Sequence, residues 1–155
     1  MLVLSFGFSL RPDILPLMPS DIKITVTDRA GRKCASSGSK WEPIMGYSRA
    51  VRSGNFIAVT GTVGIRADGT YDKSLGEQTR RSLEIIAAAI EALGGEMKQV
   101  IRTRMFVTDV SKWEEVARVH GAVFADIRPA TSILEVPRLI DPDAQIEIEA
   151  DGVVP

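Results

Sequence analysis

Two glutamates near the C-terminus are the clearest candidates for chemistry. In Ile146-Glu147-Ile148-Glu149-Ala150 acidic and apolar residues alternate, so on an extended strand Glu147 and Glu149 share one face and the isoleucines the other. A positioned carboxyl group can take a proton from water and return it to a leaving amine, the two transfers that hydrolysis of a C–N compound requires. The same alternation also describes a strand with a solvated polar face. His120 is the single histidine and so a candidate general base. Its three- and four-residue spacings to Val123 and Val116 instead place it on an apolar helical stripe, as a packed histidine with one satisfied nitrogen. Arg104 shares strand parity with Phe106 and can reach the same cleft as an anion site; the competing reading is a surface or inter-subunit ion pair. Cys34 is the only cysteine, which excludes an internal disulfide, and one cysteine with one histidine excludes a Cys/His zinc site.

The elements that must hold these residues begin near position 50. Ala50-Val51-Arg52 and Phe56-Ile57-Ala58-Val59 flank Ser53-Gly54-Asn55, the composition of a hairpin turn. Gly61, Gly64 and Gly69 then break the second strand. Ser74-Leu75-Gly76-Glu77 has capping-box spacing and starts a helix whose apolar stripe is Leu83, Ile86, Ile90 and Leu93, with Gly94-Gly95 as its stop. Residues 100–108 alternate, with Ile101, Met105 and Val107 opposite Arg102, Arg104 and Phe106. Ser111-Lys112-Trp113-Glu114 reads as a second capping box, for a helix carrying Trp113, Val116, His120, Val123 and Ile127 and ending before Pro129. Residues 132–136 and 144–150 are strand-like. The order β-β-α-β-α-β-β predicts an α+β fold with both helices on one face of a sheet. The other face, expected to be rich in Val and Ile, would be bare in a monomer and predicts oligomerisation.

Residues 1–35 do not join this pattern. Residues 1–10 are apolar but too short to span a bilayer and lack a basic flank, so neither a membrane span nor a secretory signal is expected. Residues 20–33 are charged with little periodicity. Positions 1–40 therefore read as a loosely ordered tail, with Met18 as an alternative start. The chain has 155 residues, 45% hydrophobic and 25% charged, with 19 Lys+Arg against 20 Asp+Glu. That is one domain with a real core. The net charge of −1 removes the electrostatic case for a dedicated nucleic-acid or anionic-membrane binder. A cytoplasmic protein is expected.

Several segments in this order resemble the Rid (YjgF-like, reactive intermediate deaminase) family. They are Gly46-Tyr47-Ser48-Arg49-Ala50-Val51, Thr60-Gly61, Gln78-Thr79-Arg80, the run from Arg102 to Asp109, Arg128-Pro129-Ala130-Thr131-Ser132 and Ile146-Glu147-Ile148-Glu149-Ala150. The resemblance covers residues 36–155 and leaves 1–35 as an unmatched extension. It implies a chorismate-mutase-like α+β fold assembled as a homotrimeric barrel, with ligand clefts between subunits. It also implies cofactor-free hydrolysis of small imines or enamines to keto acids and ammonia, without a metal. Some relatives have been described as ribonucleases or translation inhibitors, a reading that the absence of a basic stripe with interleaved aromatics disfavours here.

Carried over by position, Glu147 corresponds to the glutamate that holds the attacking water. Tyr47, Thr60, Phe106, Thr131 and Ser132 fall on the pocket, with Arg104 a candidate beside them. At Thr131 the sequence departs from the deaminases, which carry there an arginine that grips the substrate carboxylate. Arg128, three residues earlier, is not at the equivalent place. Losing such a contact costs on the order of 2–5 kcal/mol, roughly 30- to several-thousand-fold in the use of anionic substrates. With that cation gone and the cleft otherwise unchanged, the Glu147 pKa should rise, and the cleft should prefer neutral or amine-bearing molecules. A non-catalytic metabolite-binding protein of the same fold is the alternative.

Overall fold

One seven-stranded sheet, in the order β1-β2-β3-β4-β7-β5-β6, organises the molecule. The computed structural model describes residues 21–155. The apolar run 1–10 and the alternative start Met18 lie outside the described residues. The strands are β1 (Thr25–Arg29), β2 (Arg32–Ser36), β3 (Ala50–Ser53), β4 (Phe56–Val63), β5 (Val100–Val107), β6 (Ala130–Glu135) and β7 (Ile146–Val153). All neighbours are antiparallel except β5 and β6. The helices are α1 (Trp41–Met45), α2 (Leu75–Ala92) and α3 (Trp113–Phe124). From position 50 onward the expected β-β-α-β-α-β-β order holds, and the fold is α+β. Among the described residues no helix is long and apolar enough to cross a membrane.

The tail assignment fails for residues 25–36, which form the hairpin β1–β2 and extend the sheet beyond β3. Every residue of β1 is exposed, so no alternation was required of it and none appears in the sequence. Ala30 and Gly31 both have positive φ, 50° and 77°, the signature of a two-residue hairpin turn.

The α2 stripe packs as expected. Leu83, Ile86, Ile90 and Leu93 are buried against Ile57, Val59, Met105, Val107, Ile146 and Ile148. The Ser74 side chain accepts a hydrogen bond from the Glu77 N–H at 3.1 Å, and Gly94 takes φ 79° just past the helix end. The second capping box is absent. The Asp109 side chain accepts from the Ser111 N–H at 3.1 Å, a single 3-10 turn, Val110–Lys112, forms, and α3 starts at Trp113 without a side-chain cap. Trp113 is therefore 51% exposed rather than part of the stripe.

A bulge between Val100 and Arg102 on β5 corrects a second expectation. It leaves Ile101 51% exposed, while Thr103, Met105 and Val107 are buried. The uncovered sheet face is mixed rather than dominated by Val and Ile: Val51, Val63 and Val153 lie on it, among charged residues. It carries Glu147, Glu149 and Asp151 of β7, Arg104 and Phe106 of β5, and Ser132 and Leu134 of β6.

Fully buried Gln78 on α2 ties the loops at the sheet's end. Its Nε2 donates to the carbonyls of Asp72 (2.8 Å) and Asp143 (3.0 Å), and its Oε1 accepts from the Gln145 N–H (2.8 Å). Leucine fits the volume but strands three backbone groups. Gln78→Leu should lose about 2–4 kcal/mol in urea denaturation; a loss below about 1 kcal/mol would show that these bonds do not hold the loops.

Candidate functional site

The site forms where β4 leaves the sheet and β7 enters it. Val59 pairs with Ala150 but Thr62 pairs with Ile148, so the β4 register shifts across Thr60 and Gly61. This bulge turns Thr62 into the interior and brings Gly61 under the Glu147 side chain. A Cβ on Gly61 would lie 2.1 Å from Glu147 Oε1 and 2.7 Å from its carboxyl carbon. Only glycine lets the carboxyl group rest there.

Arg49, just before β3, secures the bulge from the other side. It is 7% exposed. Nη1 donates to the Gly61 carbonyl (2.7 Å) and Thr62 Oγ1 (3.0 Å), Nε to Ser37 Oγ (3.2 Å), and Nη2 to the Tyr47 hydroxyl (3.3 Å). Ser37 in turn donates its N–H and Oγ–H to Glu42 Oε1, both at 3.0 Å, and Ser36 Oγ donates to the other carboxylate oxygen. Buried Glu42 thus fixes the loop after β2, and that loop fixes Arg49.

These groups border a cavity of about 430 Å³, walled by Glu147, Arg49, Gly61, Trp41, Tyr71 and Asp141 among others. Burial, then the Glu149 charge, raises the Glu147 pKa above the ordinary 4.5, and Arg49 opposes the rise. The direction matches the sequence expectation, but the cause is desolvation first and not the loss of a neighbouring cation. Burial and the adjacent Asp141 also raise the Tyr71 pKa, so its phenol remains a hydrogen-bond donor. Among the described residues no three His, Cys, Asp or Glu side chains form a metal-holding group.

The other sequence-derived candidates do not line this cavity. Tyr47 stacks on Arg49, whose guanidinium lies 5.6 Å from its ring centroid. Thr60 sits in the bulge, its carbonyl accepting from Thr62 Oγ1 at 2.8 Å. Phe106 pairs with Glu147 across β5–β7, on the uncovered face. Arg104 does not enter the cavity: its Nη1 lies 3.2 Å from Asp151 Oδ2 and 3.4 Å from Glu149 Oε2 on that face. Ser132 is exposed opposite Arg104. Arg128 is exposed and ends the α3 segment with φ 54°, its N–H bonded to the Phe124 carbonyl.

Thr131 lies on the helix side of the edge strand β6 and belongs to a hydroxyl chain. Its Oγ1 donates to the Pro129 carbonyl at 3.1 Å. With that proton used, Thr103 must donate in the 2.9 Å contact with Thr131, so His120 Nε2–H donates to Thr103 at 3.0 Å. His120 packs on Phe124 at 4.5 Å between ring centroids, and burial lowers its pKa. The histidine is structural, with one nitrogen satisfied, and the Thr131 proton is committed within the chain.

The residues that sequence reasoning did not single out are Arg49, Trp41, Tyr71 and Asp141. Arg49 lies inside the Gly46–Val51 segment, and its signal is an arginine directly before an apolar strand. The other three come from loops and α1, where no periodicity marks them.

A small α+β sheet protein with a glutamate held on a glycine bulge at a cavity is one recognisable class. Residues 38–154 match the endoribonuclease L-PSP family, and the chain belongs to that family, whose structural members include the YjgF-like proteins. The chain is 32% identical over 128 residues to the uncharacterized protein SCO2049 of Streptomyces coelicolor, covering 82% of this chain and 95% of that one. It is 32% identical over 111 residues to the 2-iminobutanoate/2-iminopropanoate deaminase of Escherichia coli, covering 69% and 86%. The crystal structure of Rv2704 of Mycobacterium tuberculosis, a YjgF/YER057c/UK114 family member, superposes with a TM-score of 0.74 at 45% identity, covering 79% and 99%.

The Gly61 cradle separates stability from site geometry. Only the far end of a flexible side chain must move to admit a methyl group, so Gly61→Ala should cost under about 1 kcal/mol while driving the Glu147 carboxyl toward water. Its titration, followed by carboxyl 13C NMR, should then return toward 4.5; an unchanged titration would show that burial at this place is not the cause. A carboxyl whose folded-state pKa is raised favours the fold below its unfolded value, and this advantage disappears as pH rises through the folded value. Glu147→Gln should therefore raise the Tm at pH 8 and leave it nearly unchanged at pH 4.

Proposed function

We propose that the protein hydrolyses a small imine, enamine or related C–N compound, without metal or organic cofactor, at the cavity that holds Glu147. The single observation that carries this reading is Glu147 itself, desolvated, held on Gly61 and facing a cavity large enough for a small metabolite. In the first half-reaction the substrate is in its protonated, iminium form. The Glu147 carboxylate takes a proton from water as the water oxygen attacks the C=N carbon, giving a neutral carbinolamine. In the second, the protonated carboxyl group returns that proton to nitrogen and the C–N bond breaks. The hydroxyl proton passes to the departing ammonia, so that a carbonyl compound and ammonium leave and Glu147 is again a carboxylate. A raised carboxyl pKa suits both halves, because the acid and base forms then lie closer in energy near neutral pH. An enamine enters the sequence after protonation at carbon. The name of the Escherichia coli relative, an iminobutanoate deaminase, supports this reaction class.

The assembly proposed with this activity is a homotrimer, with the uncovered sheet faces turned toward a common barrel and the clefts completed between subunits. Supporting it are the half-exposed Phe56 and Leu134 on a face that no helix of the described residues covers. Light scattering at three times the chain mass is the expected result. A cytoplasmic location is proposed with this assembly, supported by the single, buried, unpaired Cys34. Nucleic acid and membranes are not proposed as partners.

A second reading, a non-catalytic metabolite-binding protein, is favoured by the committed Thr131 hydroxyl, which leaves no donor where the deaminases carry arginine. Glu147→Gln separates the two. A hydrolase should lose about 10²- to 10⁴-fold in kcat for an imine generated in situ while keeping ligand affinity within a few-fold. Unchanged turnover in the variant, or none in the parent protein, would leave the binding reading in place.

A further inference from the structure

The cavity is unevenly charged. Five cationic side chains line it, Lys23, Lys40, Arg49, Arg66 and Arg81, against three acidic ones, Asp21, Asp141 and Glu147. Arg66 and Arg81 are neutralised by Asp72 and Asp21. Arg49 is the most buried of the cations and forms no ion pair among the described residues. Glu42 reaches it only through Ser37, and the Glu42 oxygens already accept from Ser36 and Ser37. A buried cation without a counter-charge is costly unless something neutralises it.

The guanidinium carries five N–H donors. Ser37, Gly61, Thr62 and Tyr47 accept four of them. One N–H, on Nη2, has no acceptor among the described residues. Arg49 and Glu147 both rest on Gly61, one on its carbonyl and the other over its Cα, so a single small molecule can reach both groups.

We propose that Arg49 is the anion-binding residue of this cleft, taking a carboxylate oxygen of the ligand on the remaining Nη2 N–H, in place of the arginine absent at Thr131. The ligand class is then a small carboxylate and not the neutral or amine-bearing molecule that the sequence at position 131 suggests. That expectation assumed a cleft without a cation. Its placement of the ligand's reacting carbon at Glu147 rests on the hydrolase reading; its account of affinity does not.

Calorimetric titration of the full chain with 2-oxobutanoate and with its neutral amide tests the proposal. The carboxylate should bind about 10- to 100-fold more tightly than the amide, the range for one charge-assisted contact. Arg49→Gln should bring that ratio to about one and Arg49→Lys should retain part of it. Lys23→Ala and Lys40→Ala should leave it within about twofold. Equal binding of both probes, no detectable carboxylate binding, or a folded Arg49→Gln that keeps the ratio overturns the proposal. Because Arg49 also anchors the bulge, its variants can fail to fold. A crystal structure of the unaltered protein with 2-oxobutanoate then decides, the carboxylate on Arg49 Nη2 upholding the proposal and a carboxylate on any other group overturning it. The two readings fail separately. Carboxylate preference without imine turnover removes the hydrolase and keeps Arg49. Glu147-dependent turnover at equal kcat/KM for carboxylate and amide substrates does the reverse.

Discussion

The meeting of Arg49 and Glu147 on Gly61 is the constraint around which the site is built. It depends on the extra residue in β4. Without it the register set by Val59 and Ala150 would continue, and Thr62 rather than Val63 would lie opposite Glu147. One inserted residue reverses side-chain parity downstream, which turns the Thr62 hydroxyl inward to meet Arg49. The bulge also exposes the Gly61 carbonyl to the guanidinium. A regular ladder would have used that carbonyl within the sheet. The glycine, the arginine and the glutamate therefore form one unit, held from the α1 side by Glu42 through Ser37 and from the α2 side by Gln78.

Where the cation sits matters for what it can do. In the single chain an arginine on β6 would stand on an exposed edge strand, and its long side chain would have to be ordered when ligand binds. Arg49 is already immobilised by four hydrogen bonds on three segments of the chain, so most of its conformational entropy was lost on folding. The edge position is taken instead by Thr131, whose hydroxyl closes a chain from His120 through Thr103 to the Pro129 carbonyl. That chain satisfies buried polar groups between α3 and the sheet and has no proton left for a ligand. The two positions have changed roles: structural polarity lies at the edge, and the binding charge lies inside.

Much of the fold was legible in the sequence because burial leaves a period. Leu83, Ile86, Ile90 and Leu93 repeat as a helix facing a core must, and Ile146 and Ile148 alternate with glutamates as a strand covered on one side must. The β1–β2 hairpin was not legible, since an edge strand exposed on both faces needs no pattern. Ile101 was misplaced for a different reason: a bulge changes parity without changing composition. In the site, Glu147 stood out as a carboxylate on a readable strand, helped by the family resemblance. Arg49 did not, because an arginine before a strand looks the same whether its guanidinium reaches water or a bulge carbonyl. Tyr71 and Asp141 are brought to the cavity by loops tied at Gln78, through contacts to residues 65 and 67 positions away in sequence.

The energetic cost of the site falls on two charges. Glu147 is held where its ionised form is disfavoured, and Arg49 is buried without an ion pair, so both lose hydration that no carboxylate–guanidinium contact restores. A direct ion pair between them would relieve both at once. It would also neutralise the cation and fix the carboxyl group in its ionised form, leaving neither free for a ligand or a proton. Instead Gly61 lies between them and Arg49 spends its donors on neutral oxygens, which orient the guanidinium without cancelling its charge. The apolar layer of α2 against β4, β5 and β7 supplies the stability that tolerates this arrangement. The separation of the two charges is thus a property the fold maintains against its own stability, as expected of groups kept available for binding and proton transfer.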